Sequence, residues 1–132
     1  MPGAIMLNNI LLIFLGGGVG SVARFGMMNL ISRHSGGGAF PWHTLGVNLL
    51  GAFLIGVLLE MLALRLTVPN PMKLLLITGF LGGFTTFSAF SLESALMLEK
   101  GDYLTLGGYV AASVIGTVAA VFIGSGLVKT VL

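Results

Sequence analysis

Long apolar stretches separated by short polar breaks recur four times along this chain. The first runs from about Ile5 to Ile31, the second from Trp42 to Leu64, the third from Leu74 to Leu98, and the fourth from Tyr103 to Val128. Each reaches the roughly 20 apolar residues that a helix needs to cross the hydrocarbon core of a bilayer. The breaks carry turn chemistry: Ser35-Gly36-Gly37-Gly38 ahead of Phe40-Pro41-Trp42, Arg65 to Lys73 with Pro69 and Pro71, and Glu99-Lys100-Gly101-Asp102. Proline suits the first turn of a helix and tryptophan the headgroup layer, so the second helix is expected to begin near Trp42. The pattern predicts an all-α membrane protein with four transmembrane helices.

Composition removes the soluble alternative. Of 132 residues, 56% are hydrophobic and only 8% charged, with a mean hydropathy of +1.08. A water-soluble domain carries about 25% charged residues, and this chain cannot cover a globule with polar groups. The expectation is one membrane domain across residues 1–132, in a lipid bilayer, with no appended soluble unit and no soluble protein partner indicated. Met1 to Ala23 lacks the basic start of a signal peptide, and three similar segments follow it. It is expected to stay as the first span. Six basic residues against four acidic ones are too sparse for a nucleic-acid surface, which needs clustered Lys and Arg. The absence of cysteine excludes disulfides, thiolate metal sites and cysteine nucleophiles. There is no HExxH, no Ser/His/Asp set that could meet at one depth, and no pair of intramembrane carboxylates. Enzyme chemistry is not expected.

The loop charges are balanced. With an even number of spans, Arg65, Lys73 and Lys129 fall on one side of the membrane, and Arg24, Arg33 and Lys100 on the other. An excess of Lys and Arg in short cytoplasmic loops is what sets orientation. A tie predicts insertion both ways, and two inverted copies then pair about a twofold axis in the membrane plane, in the manner of inverted transporter repeats. Small residues favour close packing: Gly16 and Gly20 on the first span, and Gly108, Ala112, Gly116, Ala120 and Gly124 every four residues on the last. The Gly16-Gly17-Gly18-Val19-Gly20 run lies inside an apolar helix, not between a strand and a helix, which argues against a phosphate loop.

The densest chemical signal is Gly79-Phe80-Leu81-Gly82-Gly83-Phe84-Thr85-Thr86-Phe87-Ser88-Ala89-Phe90-Ser91 in the third span. Its glycines and hydroxyl residues predict a helix broken around Gly82 to Thr85. Backbone carbonyls left open at bilayer depth are tolerated only inside protein or beside water or an ion. Carbonyls without carboxylates suit a monovalent cation such as Na⁺ better than Ca²⁺ or Mg²⁺; an ordinary kinked packing helix is the alternative. Phe84, Phe87 and Phe90 are three apart and are expected on one face. That face is either simple packing or a set of ring edges, the positive part of the quadrupole, turned toward a small anion. Thr44 and Asn48 on the second span, and Tyr109, Ser113 and Thr117 on the fourth, are spaced by four. All carry neutral donors, which either bind helix to helix or attend an anion without trapping it. Arg24 either pairs structurally or gives a positive vestibule, Glu60 and Glu93 are placed near span ends within reach of water, and His34 and His43 are expected to be solvated.

On these residues the chain resembles the CrcB/Fluc family of bacterial fluoride channels. The resemblance spans nearly the whole length, through Gly17-Gly18-Val19-Gly20-Ser21-Val22-Ala23-Arg24, Thr44-Leu45-Gly46-Val47-Asn48 and the third-span signature continued to Leu92-Glu93. It implies a dual-topology antiparallel homodimer in a bacterial inner membrane, passing fluoride ion passively out of the cytoplasm and so giving resistance to its toxicity. It also implies a central structural Na⁺ held by the backbone carbonyls of Gly82 and Thr85. The fluoride pathway implied by motif position includes Phe87, Phe90, Asn48, Ser88, Tyr109, Ser113 and Thr117, with Arg24 in a vestibule or structural role. Ala89 stands where the family usually has Thr, and His43 where it usually has Gly. A proton-coupled multidrug antiporter of similar size would need a carboxylate within the first span, and that span has no acidic residue. An assembly subunit of a larger complex would need neither the broken helix nor the aligned donors.

Overall fold

The computed structural model describes residues 2–64 and 68–132. Arg65, counted above in the charge balance, lies outside the described residues. The chain is helical: α1 spans Pro2–His34, α2 Trp42–Ala63 and α6 Tyr103–Val131. Between α2 and α6 lies a composite third rod. It consists of α3 (Asn70–Lys73), a π-helical stretch (Leu74–Leu81), α4 (Gly82–Phe84) and α5 (Phe87–Glu99). These form four helices long and apolar enough to cross a membrane.

Local chemistry sets the boundaries. Gly36 and Gly37 turn the chain at φ 70° and 69°, and Gly101 does so at φ 73°, values at which a side chain would be strained. Asp102 caps α6 by accepting the Thr105 N–H at 3.2 Å. The third rod starts at Asn70, earlier than the expected Leu74, because Pro71 sits in its first turn, where the missing N–H costs nothing. At the other end α6 continues to Val131 rather than Val128.

Side-chain size and polarity are distributed for a lipid solvent. Large apolar groups such as Phe14, Val22, Leu104 and Phe122 face outward, with Leu104 90% exposed. The buried set includes Thr44, Tyr109 and Ser113 beside glycines. The α2 helix packs chiefly along α6, and α1 along the π-helical stretch. The glycines make both contacts possible. A Cβ on Gly16 would strike the Leu75 carbonyl, and one on Gly20 the Phe80 carbonyl. On the other seam, a Cβ at Gly124 would strike the Phe53 carbonyl, and one at Gly56 the Val121 carbonyl. Gly108, expected in the same stripe as Gly124, meets nothing within 4 Å and faces away from its own chain. Without an apolar driving force between helices in lipid, such backbone approach is what dispersion needs.

Candidate functional site

The third rod loses its helical winding at Thr85 and Thr86, whose backbones are extended at φ −82°, ψ 156° and φ −149°, ψ 118°. Gly82 itself is helical, at φ −62°, ψ −38°, so the interruption falls on the β-branched pair and not on the glycines. Asn48 on α2 brackets it from the side. Its Oδ1 accepts the Thr86 N–H at 2.8 Å, and its Nδ2 donates to the Thr86 carbonyl at 2.9 Å. Thr86 then caps α5, its Oγ1 accepting the Ala89 N–H at 3.2 Å.

These bonds redirect two donors. In a continuous helix the N–H of residue i+4 goes to the carbonyl of residue i. The Thr86 N–H that would serve the Gly82 carbonyl goes to Asn48, and the Ala89 N–H that would serve the Thr85 carbonyl goes to Thr86 Oγ1. The Thr85 carbonyl keeps a long contact from Arg24 Nη1 at 3.4 Å. Arg24, half-buried within α1, therefore reaches the interruption instead of snorkelling to a helix end. Gly82 and Thr85 are thus two residues that line one open groove and whose carbonyls lose their usual helical donors to other acceptors. That donor set fits a monovalent cation: neutral oxygens, with no group of three or more His, Cys, Asp or Glu among the described residues that would suit a harder or softer metal.

The groove has a volume of about 440 Å³ and is lined by Asn48, Gly82, Thr85, Phe87, Ser113 and Thr117 among others. Its donors are not equivalent. The Thr117 hydroxyl is turned back on its own helix, donating to the Ser113 carbonyl at 2.6 Å. The Ser113 hydroxyl is buried and has no partner among the described residues. One N–H of the Asn48 amide goes to Thr86, which leaves the second for another acceptor. Ser88 is exposed beside the break, its Oγ 3.2 Å from Thr86 Oγ1. Phe87, 78% exposed, forms a tilted pair with Phe90 at 5.3 Å between centroids. Phe84 does not share that face. The extended threonines put it on the other side, where it is buried and stacked on Phe80 at 5.8 Å.

Beyond Phe90 the polar line continues. Phe90 lies 5.1 Å from the ring of Tyr109, and Tyr109 is fully buried and donates its hydroxyl to Glu93 Oε2 at 2.5 Å. Thr44 donates to Glu93 Oε1 at 2.6 Å, and His43 Nε2 lies 3.1 Å from the same oxygen. Glu93, expected within reach of water, is instead gripped by side chains from two other helices and is 18% exposed. The sequence carried a trace of this cluster: Thr44 and Tyr109 are donors that a buried carboxylate needs, but nothing in their spacing says that Glu93 meets them.

Four apolar spans, the third interrupted beside an open groove, define a multi-pass membrane protein. The model of the CrcB-like protein, Camphor Resistance (CrcB) family matches residues 11–125, and the chain belongs to the CrcB family. It is 46% identical over 119 residues to a fluoride-specific ion channel FluC of Agrobacterium fabrum, covering 90% of this chain and 94% of that protein. A protein of the same name from Rhizobium etli is 48% identical over 118 residues, covering 89% and 94%. Another, from Chloroflexus aurantiacus, is 46% identical over 121 residues, covering 92% and 95%. These relatives are named as channels, not as enzymes.

Proposed function

We propose that the chain is a fluoride channel that lets cytoplasmic fluoride leave the cell down its gradient. The observation that carries this is the groove, where the exposed Phe87 ring, the buried Ser113 hydroxyl without a partner among the described residues and the spare Asn48 amide N–H lie together, with half-buried Phe90 against the Phe87 ring. A small anion leaving water needs replacement donors. Full cationic charge would hold it, whereas hydroxyl, amide and ring-edge groups compensate without trapping. In acid surroundings hydrogen fluoride enters as a neutral molecule and dissociates inside, so a route out for the ion is the protective device.

The pathway runs along Asn48, Phe87, Phe90 and Ser113, with Ser88, Tyr109 and Thr117 beside it. Thr117 and Tyr109 act by fixing the walls, since their protons are already donated within the protein. The working unit is an antiparallel homodimer of two oppositely inserted copies, with the interruption at bilayer depth. The groove open to one side and the outward-facing Gly108 support that arrangement. Na⁺ would be held by the backbone carbonyls of Gly82 and Thr85, where it would compensate their negative ends and put a fixed positive charge within the protein. Efflux from proteoliposomes tests the activity. Fluoride leaving without comparable chloride supports it, and equal leak of both, or none, refutes it.

A further inference from the structure

A second cavity, about 300 Å³, opens at the α1–α2 loop end and is lined by Ser32, Ser35, His43, Glu93 and Lys100. It continues the polar line from the groove: Phe87 to Phe90, Phe90 to Tyr109, Tyr109 to Glu93, Glu93 to His43. An anion using this end therefore passes a carboxylate. Three side chains hold that carboxylate, so it stays at the mouth.

We propose that His43 is a proton-operated positioning residue of the anion pathway, which neutralises Glu93 when protonated and so raises anion conduction as pH falls. This rests on the fluoride-channel proposal above. Histidine is the side chain that changes charge between pH 5 and 8, and His43 is 32% exposed, in contact both with water and with Glu93. The groups facing it are known from each packed element. Glu93 comes from α5, Lys100 lies just past the end of α5, Thr44 is its neighbour on α2, and Tyr109 comes from α6 through Glu93. The α1 residues lining the cavity bring only the hydroxyl of Ser32. Lys100 brings an ammonium group, and Tyr109 and Thr44 bring hydroxyl donors. His43 is then the group whose charge changes beside the carboxylate. With neutral His43 the pair carries one negative charge against an incoming anion; with protonated His43 it carries none.

Fluoride efflux is measured at pH 7.5 and pH 5.5, equal inside and outside, with the leak of protein-free vesicles subtracted at each pH to remove permeation of neutral hydrogen fluoride. Native protein should conduct measurably faster at the lower pH. His43→Gln keeps a donor for Glu93 but cannot charge, so its rate should be pH-independent and near the slow level. His43→Lys, with a permanent charge, should be pH-independent and near the fast level. A native pH ratio retained in either variant, or no pH ratio in native protein that conducts fluoride, overturns the proposal and leaves the channel assignment standing. Absence of fluoride efflux at both pH values overturns the channel assignment and this proposal with it.

Discussion

Replacing Asn48 with leucine removes a side chain that holds the third rod open from a neighbouring helix. Asn48 makes two hydrogen bonds to Thr86, of 2.8 and 2.9 Å. Interhelical hydrogen bonds within membranes average about 0.6 kcal/mol each, and neutral hydrogen bonds in general about 1 kcal/mol. Losing both therefore costs about 1–2 kcal/mol. A buried donor or acceptor left without a partner adds about 1–3 kcal/mol. The Thr86 carbonyl begins the hydrogen bonding of α5, as the cap residue of any helix does, so it is not orphaned. The Thr86 N–H has a substitute along its own chain, the Gly82 carbonyl, and can avoid the penalty by closing the helix. The expected net loss for Asn48→Leu is about 2 kcal/mol. Reversible unfolding in mixed micelles measures it, and hydrogen exchange at the Thr86 amide reports its new partner. Closure would also reoccupy the Gly82 carbonyl. Replacing Na⁺ with a large organic cation should then destabilise the native protein but not the variant. Stability within about 0.5 kcal/mol of native, with an unchanged response to Na⁺, would refute the reasoning.

Phe87→Ile and Phe90→Ile keep apolar bulk but remove ring edges, and each should impair fluoride efflux while the protein elutes as the native does; efflux surviving both changes would rule out the aromatic contribution. Ser113→Ala deletes a buried hydroxyl that bonds to nothing among the described residues, so unfolding stability should hold within about 0.5 kcal/mol while fluoride efflux slows. Gly20→Ala drives a methyl group into the Phe80 carbonyl and should cost about 1–3 kcal/mol by overpacking, read as a lower unfolding midpoint in micelles.

The four helices were legible because lipid imposes a long apolar run on each, and the boundaries at Trp42 and Tyr103 carry turn residues that read plainly. The start at Asn70 was harder, since Pro71 serves equally in a turn and in a first helical turn. At the interruption, glycine content pointed to Gly82, whereas the winding is lost at Thr85 and Thr86 through a partner on another helix. That cause is tertiary, and no local pattern contains it. The same holds for Phe84. Spacing by three places it with Phe87 and Phe90 only if the helix is unbroken, and the extended pair moves it to the buried side. Glu93 and His43 were the least legible. One is on α5 and the other on α2, and only the packing of these helices shows that a carboxylate and an imidazole share one oxygen contact at 3.1 Å. The packing glycines were readable as a class but not singly, for Gly20 meets a neighbouring backbone and Gly108 meets none.

The central claim concerns which ion passes and whether it passes passively. Current through purified protein in a planar bilayer, with fluoride and chloride gradients set in opposite directions, separates the possibilities in one recording. The account predicts that the current reverses at the equilibrium potential of fluoride. Reversal at the chloride potential, or midway between the two, would contradict it.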